Sequence, residues 1–585
     1  MPDVVRRALA LLSPAARARW GWLVALAAGA ATAEAAAAGG VFRLIALLHD
    51  APPARAAAFA VGLAALTLGK NALGMWASRR RSELVTTGTA EIAERLVGAY
   101  LAAPWPWHLR RNSAELVRTV RTAANAPCSL ILASAVSLAS ETLVVVAVTA
   151  VLLAVAPGAT LGAVAVLAAL CALLLRATRR RVLVWSAREQ ALDAELLRTL
   201  HQTLGALAEL RVLGRGDHFR RAFGACAARL SAVKAHHLTL AELPRAVTES
   251  AFVGGGLLVA ALLLRLDAAG PRLLPLLGVF AYAGFRTIPS ANRIVHHLQQ
   301  IRAGTPALAL VEADLRAAAT PVATPAPHPA QPFRALALDG VGYRHAGAAR
   351  PALDGVSLVV RRGEALGVVG HTGAGKSTLV ALLLGLLEPT MGRIAVDGRP
   401  LDAAWQRRLG WVPQDVYLLD DSVRRNVALG VPDDAVDDAR VRRALQRAQL
   451  DGVVARLPAG LDARVGERGV RLSGGERQRL GIARALYHEP DVLLLDEATA
   501  ALDGRTEAEL MAAVAALAGS LTLVIVAHRL STVRRCDRLV VLRDGRVDAV
   551  GSWDALLAGS AEFRRLARAA AGGARAQAVA RAMPR

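Results

Sequence analysis

The distribution of apolar residues divides the chain into two halves with different patterns. In the first half, long apolar runs predict six membrane-spanning helices, at about residues 22–48, 56–77, 128–155, 160–175, 247–266 and 273–296. Each run supplies most of the ~20 residues that a helix needs to cross the hydrocarbon core of a bilayer. Beyond about residue 333, short apolar runs alternate with helical segments. The sequence therefore predicts an all-α, six-helix membrane domain fused to an α/β domain.

The connections between the predicted spans differ in length. Roughly fifty residues separate the second and third spans and roughly seventy separate the fourth and fifth, far more than an ordinary loop. Both segments are charged with helical periodicity, as at residues 189–197, so we expect the helices to continue well beyond the membrane. Arginines at 79–81 and 179–181 begin these segments and mark the cytoplasmic side. Six spans then place both termini in the cytoplasm and the chain in the cell (inner) membrane.

The composition fits a membrane protein with basic cytoplasmic parts. The 585 residues are 54% hydrophobic, yet they carry a formal net charge of +23. The arginines lie at the ends of apolar runs rather than in one basic stripe with aromatic residues, which argues against nucleic-acid binding. The four cysteines lack metal-ligand spacing, so we expect reduced structural thiols. No small-residue cleavage site leads from the first apolar run into a soluble domain, so we interpret this run as a span rather than a signal peptide.

A segment rich in proline and alanine, residues 317–332, separates the two halves. Repeated proline does not continue a helix and favours extended backbone, so this segment is predicted to be a linker. We therefore place the membrane domain at residues 1–316, the second domain at 333–570 and a basic, alanine-rich tail at 571–585.

A glycine-rich motif of the form G-x-x-x-x-G-K-S organises the second half. It comprises Gly370, His371, Thr372, Gly373, Ala374, Gly375, Lys376, Ser377 and Thr378. A predicted buried strand precedes it and a predicted helix follows it, which is the context of a phosphate-binding loop. Glycines let backbone N–H groups point at phosphate oxygens, and the helix N-terminus adds partial positive charge. We expect Lys376 to reach the β- and γ-phosphates and the Ser377 hydroxyl to bind Mg²⁺.

Later in the chain, a predicted buried strand ends in two acidic residues, Asp496 and Glu497. At a strand end beside a phosphate loop, one carboxylate can bind Mg²⁺ while a second polarises water. We assign Asp496 to the metal and Glu497 to the general base. Gln414, which follows a predicted strand, is assigned to Mg²⁺ and the attacking water. His528, after the predicted strand at 521–526, is assigned to the γ-phosphate.

Residues 472–478 form a second candidate phosphate site, because they open a predicted helix with serine and glycine N–H groups. The residues assigned to it are Ser473, Gly474, Gly475 and Glu476. Two phosphate sites in one domain are one too many for one nucleotide. A head-to-tail homodimer resolves this, because each nucleotide then lies between the Lys376 loop of one subunit and the Ser473 loop of the other.

In this order, the motifs of residues 333–570 resemble the nucleotide-binding domain of ATP-binding cassette (ABC) transporters. The matching elements are the Walker A loop at 370–378, the Q-loop Gln414, the signature at 472–478, the Walker B acids Asp496 and Glu497, the D-loop ending in Asp503 and the H-loop His528. Residues 465–469 also resemble a loop that exporters place before the signature. The resemblance implies a half-transporter that works as a dimer and hydrolyses ATP with Mg²⁺.

Two positions depart from the family pattern. His345 occupies the place of the aromatic residue that stacks on adenine, and Tyr343 matches an aromatic that is more often buried. Imidazole stacks with less area, which predicts weaker or less base-selective nucleotide binding. Ala500 replaces the D-loop serine and removes a polar contact across the dimer. Since neither departure touches the catalytic residues, we expect both composite sites to hydrolyse ATP.

Six ionisable residues within the predicted spans are candidates for function or for helix–helix ion pairs such as Lys70 with Glu34: Glu34, Lys70, Glu141, Glu249, Arg286 and Arg293. Segments at 100–108, 112–113, 210–215 and 285–293 resemble flippases for lipid-linked oligosaccharides. That resemblance implies a polyprenyl-pyrophosphate glycan as cargo. Arginine binds pyrophosphate well, so we assign the head group to Arg286 and Arg293, with Arg245 and Lys70 as weaker partners.

Other functions of the same architecture stay open. A multidrug or lipid exporter is the main alternative, and an apolar cavity with few arginines would favour it. A peptide exporter is disfavoured because no protease-like domain precedes the spans. An ATP-gated channel or regulator would have little need of a hydrolytic base, so Glu497 and His528 argue against it.

Overall fold

The computed structural model describes residues 2–50, 52–155, 157–265, 273–318, 332–498, 504–527 and 529–569. The chain divides into two compact units, Met1–Pro321 and Val322–Arg585, and each is described by itself. Most of the predicted linker at 317–332 and the whole predicted tail at 571–585 lie outside the described residues.

The first unit is helical throughout its described residues. Its helices in chain order are α1 (Pro2–Ala10), α2 (Pro14–Asp50), α3 (Pro53–Ala102), α4 (Trp105–Leu109), α5 (Ser113–Arg121), α6 (Ala133–Val155), α7 (Pro157–Gly205), α8 (Leu207–Val212), α9 (Gly216–Arg265) and α10 (Leu273–Ala318). A π-helical turn, Pro127–Leu132, leads directly into α6. Alanine and leucine, both strong helix formers, dominate the long helices.

Several of these helices are much longer than a membrane is thick. Helix α3 has 50 residues, which corresponds to a length of ~75 Å at 1.5 Å per residue, whereas the hydrocarbon core is ~30 Å thick. Each predicted charged segment therefore continues a predicted span as one helix, and α4 and α8 are short helices between the long ones. Helices α7 and α9 pack together through Leu192, Leu230 and Val233, and Trp185 stacks on His236 with ring centroids 5.1 Å apart.

Three helical segments within the described residues are long and apolar enough to cross a membrane: Pro14–Val41, Pro53–Ala102 and Ser113–Ala150. They coincide with the first three predicted spans. The other three predicted spans lie on α7, α9 and α10, and the total of six spans stays a prediction. All four cysteines are free thiols, as the sequence predicts.

The second unit contains two sheets. Its strands are β1 (Ala335–Tyr343), β2 (Leu353–Arg361), β3 (Ala365–Val369), β4 (Met391–Val396), β5 (Arg399–Pro400), β6 (Leu409–Val412), β7 (Val492–Asp496), β8 (Thr522–Val526), β9 (Arg538–Arg543) and β10 (Arg546–Gly551). An antiparallel sheet has the order β2-β1-β4-β5, and a larger sheet has the order β10-β9-β3-β8-β7-β6. In the larger sheet, β9, β3, β8, β7 and β6 are parallel to one another.

The helices of the second unit cover the two faces of the larger sheet. They are α11 (Lys376–Leu383), α12 (Ala403–Gln406), α13 (Val423–Val427), α14 (Asp438–Arg447), α15 (Asp451–Val454), α16 (Gly474–Tyr487), α17 (Gly504–Ala515), α18 (Leu530–Val533) and α19 (Trp553–Gly559). Successive residues of a strand point to opposite faces. Leu493 and Leu495 accordingly pack in a core with α16, whereas Val492 and Leu494 pack in another core with α11 and the antiparallel sheet.

This burial on both faces explains why the central strands are continuously apolar. All five residues of β3 and all five of β8 are buried. Because β3, β8, β7 and β6 are parallel, their carboxyl ends lie along one edge of the sheet, and the candidate residues follow directly after those ends.

Candidate functional site

The phosphate loop connects the buried strand β3 to helix α11. The predicted strand, loop and helix are all present, and α11 begins at Lys376 with Gly375 at its N-cap. Within the loop, the N–H of Ala374 donates to the carbonyl of His371 at 3.1 Å, so the backbone turns back on itself. The first helical turn contains Ser377 and Thr378, and Ser377 is exposed.

Two glycines of the loop are required by close backbone approach. A Cβ on Gly370 would lie 2.4 Å from the carbonyl oxygen of Leu542, and a Cβ on Gly375 would lie 2.5 Å from that of Ala352. Gly375 also has a φ of +100°, and Gly373 has a φ of +83° with open space around its Cα. These glycines allow the tight backbone turn of a phosphate-binding loop, because residues with a side chain rarely adopt positive φ.

Lys376 lies inside the loop rather than in solvent. Its Nζ donates to the carbonyl oxygens of Gly370 at 2.9 Å and His371 at 3.1 Å, and the residue is 5% exposed. Burial lowers the pKa of the Lys376 ammonium, and the nearby carboxylates of Glu497 and Asp496 oppose that shift. The Lys376 ammonium therefore lies at the loop, where phosphate oxygens can accept its hydrogen bonds and balance its charge.

The two acidic residues lie at the end of β7, at the same level as the phosphate loop. Val368 of β3 and Asp496 of β7 both pair with Val526 of the intervening strand β8. Two strand spacings separate them, which is about 10 Å. The N–H of Glu497 donates to the carbonyl of Val526 at 2.9 Å. Glu497 has a φ of +50°, a backbone strain of the kind found at functional sites.

The electrostatics of this edge favour a bound cation. Burial, followed by the charge of Glu497, raises the pKa of Asp496 to about 6, and the charge of Lys376 opposes that shift. A partly buried carboxylate pair of this kind is stabilised by positive charge. A Mg²⁺ ion suits the donor set, because the Asp496 carboxylate and the Ser377 hydroxyl are hard oxygen ligands near the phosphate position.

Gln414 follows β6 by two residues, at the same edge of the sheet. Its side chain is exposed, and its backbone carbonyl accepts a hydrogen bond from Gln478 Nε2 of α16 at 2.6 Å. The sequence predicts the position of Gln414 but gives no sign of Gln478 as its partner, because glutamine in a helix is an ordinary residue.

His528, Ala500 and Asp503 lie outside the described residues, so their predicted roles stay predictions. The residues that follow position 528 are held by Glu507, which is 8% exposed. Its carboxylate accepts hydrogen bonds from Arg529 at 2.5 Å, Ser531 at 3.0 Å and Thr532 at 3.1 Å. The sequence reasoning missed Glu507, and a single glutamate in a helix carries no signal of this role.

The signature residues form the start of α16. Ser473 is the N-cap, and its Oγ accepts from the N–H of Glu476 at 3.3 Å while the Glu476 carboxylate accepts from the N–H of Ser473 at 2.8 Å. Gly474 and Gly475 are the first helical residues. This capping box fixes the helix start, whose dipole favours a bound anion. The location fits the predicted second phosphate site, and its pairing with a partner subunit stays a prediction.

His345 lies beside the phosphate loop, as expected of a base-stacking residue. Its Nε2 is 3.4 Å from Thr378 Oγ1, and its ring makes an edge contact with Tyr343 at 4.9 Å between centroids. His345 is exposed, and Tyr343 is half-buried. The geometry therefore makes His345 the residue available to a base.

In the membrane domain, the candidate basic residues have carboxylate partners. Lys70 Nζ lies 2.6 Å from Glu34, which is the ion pair that the sequence suggested. Arg293 makes two bonds to Glu141, at 2.6 and 3.0 Å, and Arg245 lies 3.0 Å from Glu249. Arg286 lies on α10, and its side chain is outside the described part of the structure. An anionic head group would therefore have to compete with these carboxylates.

Comparison with known proteins agrees with the site. Residues 353–500 match the family model described as "ABC transporter". The chain is 48% identical over 222 residues to the "ATP-dependent lipid A-core flippase" of Cupriavidus metallidurans, which covers 37% of each protein. It is 44% identical over 232 residues to the "Mycobactin import ATP-binding/permease protein IrtB" of Mycobacterium tuberculosis, which covers 39% of this chain and 40% of that protein.

A solved structure extends the likeness over nearly the whole chain. The structure of a bacterial Atm1-family ABC exporter with ATP bound matches with a TM-score of 0.79 at 25% identity, covering 95% of this chain and 98% of that one. The curated relatives, in contrast, are matched over about two fifths of their length or less.

Proposed function

We propose that this chain, whose residues 353–500 match the ABC transporter model and whose fold matches an Atm1-family exporter, is an exporter-type half-transporter that couples ATP hydrolysis to the movement of an amphipathic substrate across the cell membrane. The observation that carries the proposal is the shared strand edge, where Lys376 and Ser377 follow β3 and Asp496 and Glu497 end β7. A protein that only binds ATP has no use for a second carboxylate, able to accept a proton from water, beside its phosphate loop.

Two chains form the functional unit in this proposal. Each ATP lies between the loop of Lys376 in one subunit and the N-terminus of α16, at Ser473, in the other. The glycine N–H groups and Lys376 bind the β- and γ-phosphates, and the helix start at Ser473 adds a second set of donors. His345 stacks on the base.

The residues present fit a magnesium ion bound together with ATP. Asp496, Ser377 and Gln414 would hold it, and the ion would neutralise charge on the β- and γ-phosphates. Within the described residues, no group of three or more His, Cys, Asp and Glu side chains forms a metal cluster. One carboxylate plus phosphate oxygens is the usual environment of Mg²⁺ at such sites.

Glu497 acts as the general base for hydrolysis. It accepts a proton from water as the water oxygen attacks the γ-phosphorus, and the bond from that phosphorus to the bridging oxygen breaks. ADP and inorganic phosphate are the products. Lys376 stabilises the charge on the transferred group, and His528 and Gln414 position phosphate and water.

Transport follows from a shift between two populations of the dimer. ATP bridges the two nucleotide-binding domains and favours the closed pair, and loss of the γ-phosphate releases it. In this proposal, the change between the closed and the released pair drives the rearrangement of the membrane domain. Bound ATP thus favours the closed pair by its differential affinity, and hydrolysis supplies the free energy that makes the cycle run in one direction.

We propose a polyprenyl-pyrophosphate-linked oligosaccharide as the substrate. The support is cationic side chains in an apolar helical bundle, where Arg293 is paired with Glu141 and Lys70 with Glu34. A pyrophosphate can replace Glu141 as the bidentate partner of Arg293; Arg286 lies seven residues before Arg293 on α10, and Arg245 of α9 is the weaker candidate. The paired arginines also favour a second candidate, an exporter of lipids or drugs in which these ion pairs only join helices.

The test is ATPase activity of the purified chain in liposomes, with and without a polyprenyl-pyrophosphate glycan. We expect stimulation by the glycan, and we expect Arg286→Ala/Arg293→Ala to abolish the stimulation while basal turnover persists. Arg229→Ala is the matched control, because Arg229 also pairs with a glutamate, Glu195, at 2.6 Å but on the hairpin of α7 and α9. Stimulation by amphipathic drugs alone would favour the second candidate, and a wild-type chain without ATPase activity would contradict both.

A further inference from the structure

One face of helix α16 is hydrogen-bonded to, and packed against, the segment that connects β6 to α13. Gln478, 9% exposed, donates from Nε2 to the backbone carbonyl of Gln414 at 2.6 Å. Three residues further along, Gly481 permits close approach, because a Cβ there would lie 2.8 Å from Val416. Residues 478 and 481 lie on the same face of the helix, so a hydrogen bond and a packing contact hold the same segment.

Arg484 extends this attachment by another turn of α16. Its guanidinium donates to the carbonyl of Tyr417 at 2.8 Å and to the carbonyl of Asn426 at 2.8 Å. Asn426 is fully buried, and its amide donates in turn to the carbonyls of Leu419 and Ser422. The segment from Gln414 to Asn426 is therefore held to α16 mainly by hydrogen bonds to its backbone carbonyls, together with the contact of Val416 and a bond to the Asn426 side chain.

The attachment joins two parts that serve different nucleotides. Helix α16 begins directly after Ser473, which meets the ATP of the partner's loop under the proposed function. Gln414 lies at the strand edge with Lys376 and Asp496, where the ATP of its own subunit binds. A displacement of Gln414 on ATP binding therefore moves α16 as well, because a short hydrogen bond and a close contact connect them.

We propose that Gln478 is a positioning residue that couples the two nucleotide sites of the dimer by fixing Gln414 to α16. The inference rests on the proposed function, since it requires the head-to-tail dimer. Gln478 Oε1 is buried and lacks a hydrogen-bond partner among the described residues. An apolar side chain of the same length would avoid that cost, so packing alone does not account for the amide, whereas the bond to Gln414 does.

The experiment measures equilibrium binding of MgATP to the full chain in a Glu497→Gln background, where turnover does not perturb the equilibrium. We expect cooperative binding in this parent, in which the first MgATP raises the affinity for the second by about fivefold or more. After Gln478→Met we expect this coupling to be lost and the Hill coefficient to be near 1. The thermal midpoint of the nucleotide-free protein should change little, because methionine removes the orphan acceptor Oε1 but also the donor to the Gln414 carbonyl, and the two effects oppose each other. Gln446→Met, on the exposed face of α14, is the matched control.

A second variant keeps the test decisive if Gln478→Met folds poorly. Gly481→Ala forces Val416 away from α16 and should lower the Hill coefficient in the same way. Unchanged cooperativity in either folded variant, or noncooperative binding in the parent, would overturn the inference. A chain that binds MgATP cooperatively but hydrolyses none in its wild-type form would contradict the proposed function alone.

Discussion

The Tyr100 hydroxyl donates to Asp314 Oδ2 at 2.7 Å, joining two residues that are 214 positions apart in the chain. Asp314 is 1% exposed, and its other oxygen lies 3.1 Å from Arg111. The Arg111 guanidinium also lies over the ring of Trp107 at 5.2 Å. The end of α3 and the turn around α4 are thereby held to the last turns of α10, close to the predicted linker.

Tyr100→Phe should lower the stability of the first unit. The substitution keeps the aromatic ring but leaves a buried carboxylate without its hydroxyl donor, which costs ~1–3 kcal/mol. A fall in the thermal midpoint of the purified protein in detergent would show it. Asp314→Asn is the comparison, because it keeps an acceptor for Tyr100 and removes the buried charge; we expect the smaller loss there. A larger loss for Asp314→Asn would mean that the ion pair with Arg111, not the tyrosine bond, carries the stability.

The same hydrogen bond predicts a dependence on pH. Burial, followed by the hydrogen bond to Asp314, raises the pKa of Tyr100. A raised pKa in the folded state means that the contribution to stability is complete below the unfolded value of about 10 and is lost as the pH rises above it. The difference in thermal midpoint between wild type and Tyr100→Phe should stay constant from pH 7 to about 9 and narrow at higher pH. A difference that is constant through pH 11 would contradict the assignment.

Gly375→Ala should impair nucleotide binding more than Gly373→Ala. Both glycines have positive φ, a conformation that costs alanine ~1–2 kcal/mol. Because the loop needs this conformation to bind phosphate, each substitution should weaken MgATP binding by about tenfold from this cost alone. A steric clash with backbone occurs only at position 375, where an added Cβ would lie 2.5 Å from the Ala352 carbonyl oxygen. The space around Gly373 is open. The expected result is a dissociation constant for MgATP at least about tenfold weaker in Gly375→Ala than in Gly373→Ala. Equal constants in two well-folded variants would show that the loop tolerates the contact.

Glu507→Gln should reduce turnover while leaving ATP binding intact. The carboxylate receives bonds from Arg529, Ser531 and Thr532, and a neutral amide weakens the bond to the arginine. Since these residues follow position 528, their loosening should displace His528. We expect kcat to fall about tenfold, consistent with ~1.4 kcal/mol, at unchanged affinity for ATP. Glu509→Gln is the comparison on the same helix: its exposed carboxylate pairs with Arg505 and with Arg479 of α16 but with no described residue after position 528, so kcat should fall much less.

The sequence predicts much of this arrangement because local patterns specify it. The strand, glycine turn and helix around Lys376 are adjacent in the chain, and the apolar run before Asp496 has the length of a buried strand. Gln478 and Glu507 were not predicted, since their roles depend on which segments lie beside α16 and α17 after folding. The pair of Arg293 with Glu141 was also missed, because a count of charges within spans does not say which helices are neighbours.

Glu497→Gln tests the general base directly. Glutamine has nearly the same shape but does not accept a proton from water at neutral pH, so MgATP should bind with wild-type affinity while kcat falls at least ~100-fold. Glu489→Gln is a matched control: Glu489 has a φ of +51°, against +50° for Glu497, and pairs with Arg440 on the surface. Both substitutions therefore carry the same backbone strain, and only the Glu497 variant should stall. Rapid turnover by Glu497→Gln would mean that another group accepts the proton from water, because the reaction would then proceed without the Glu497 carboxylate.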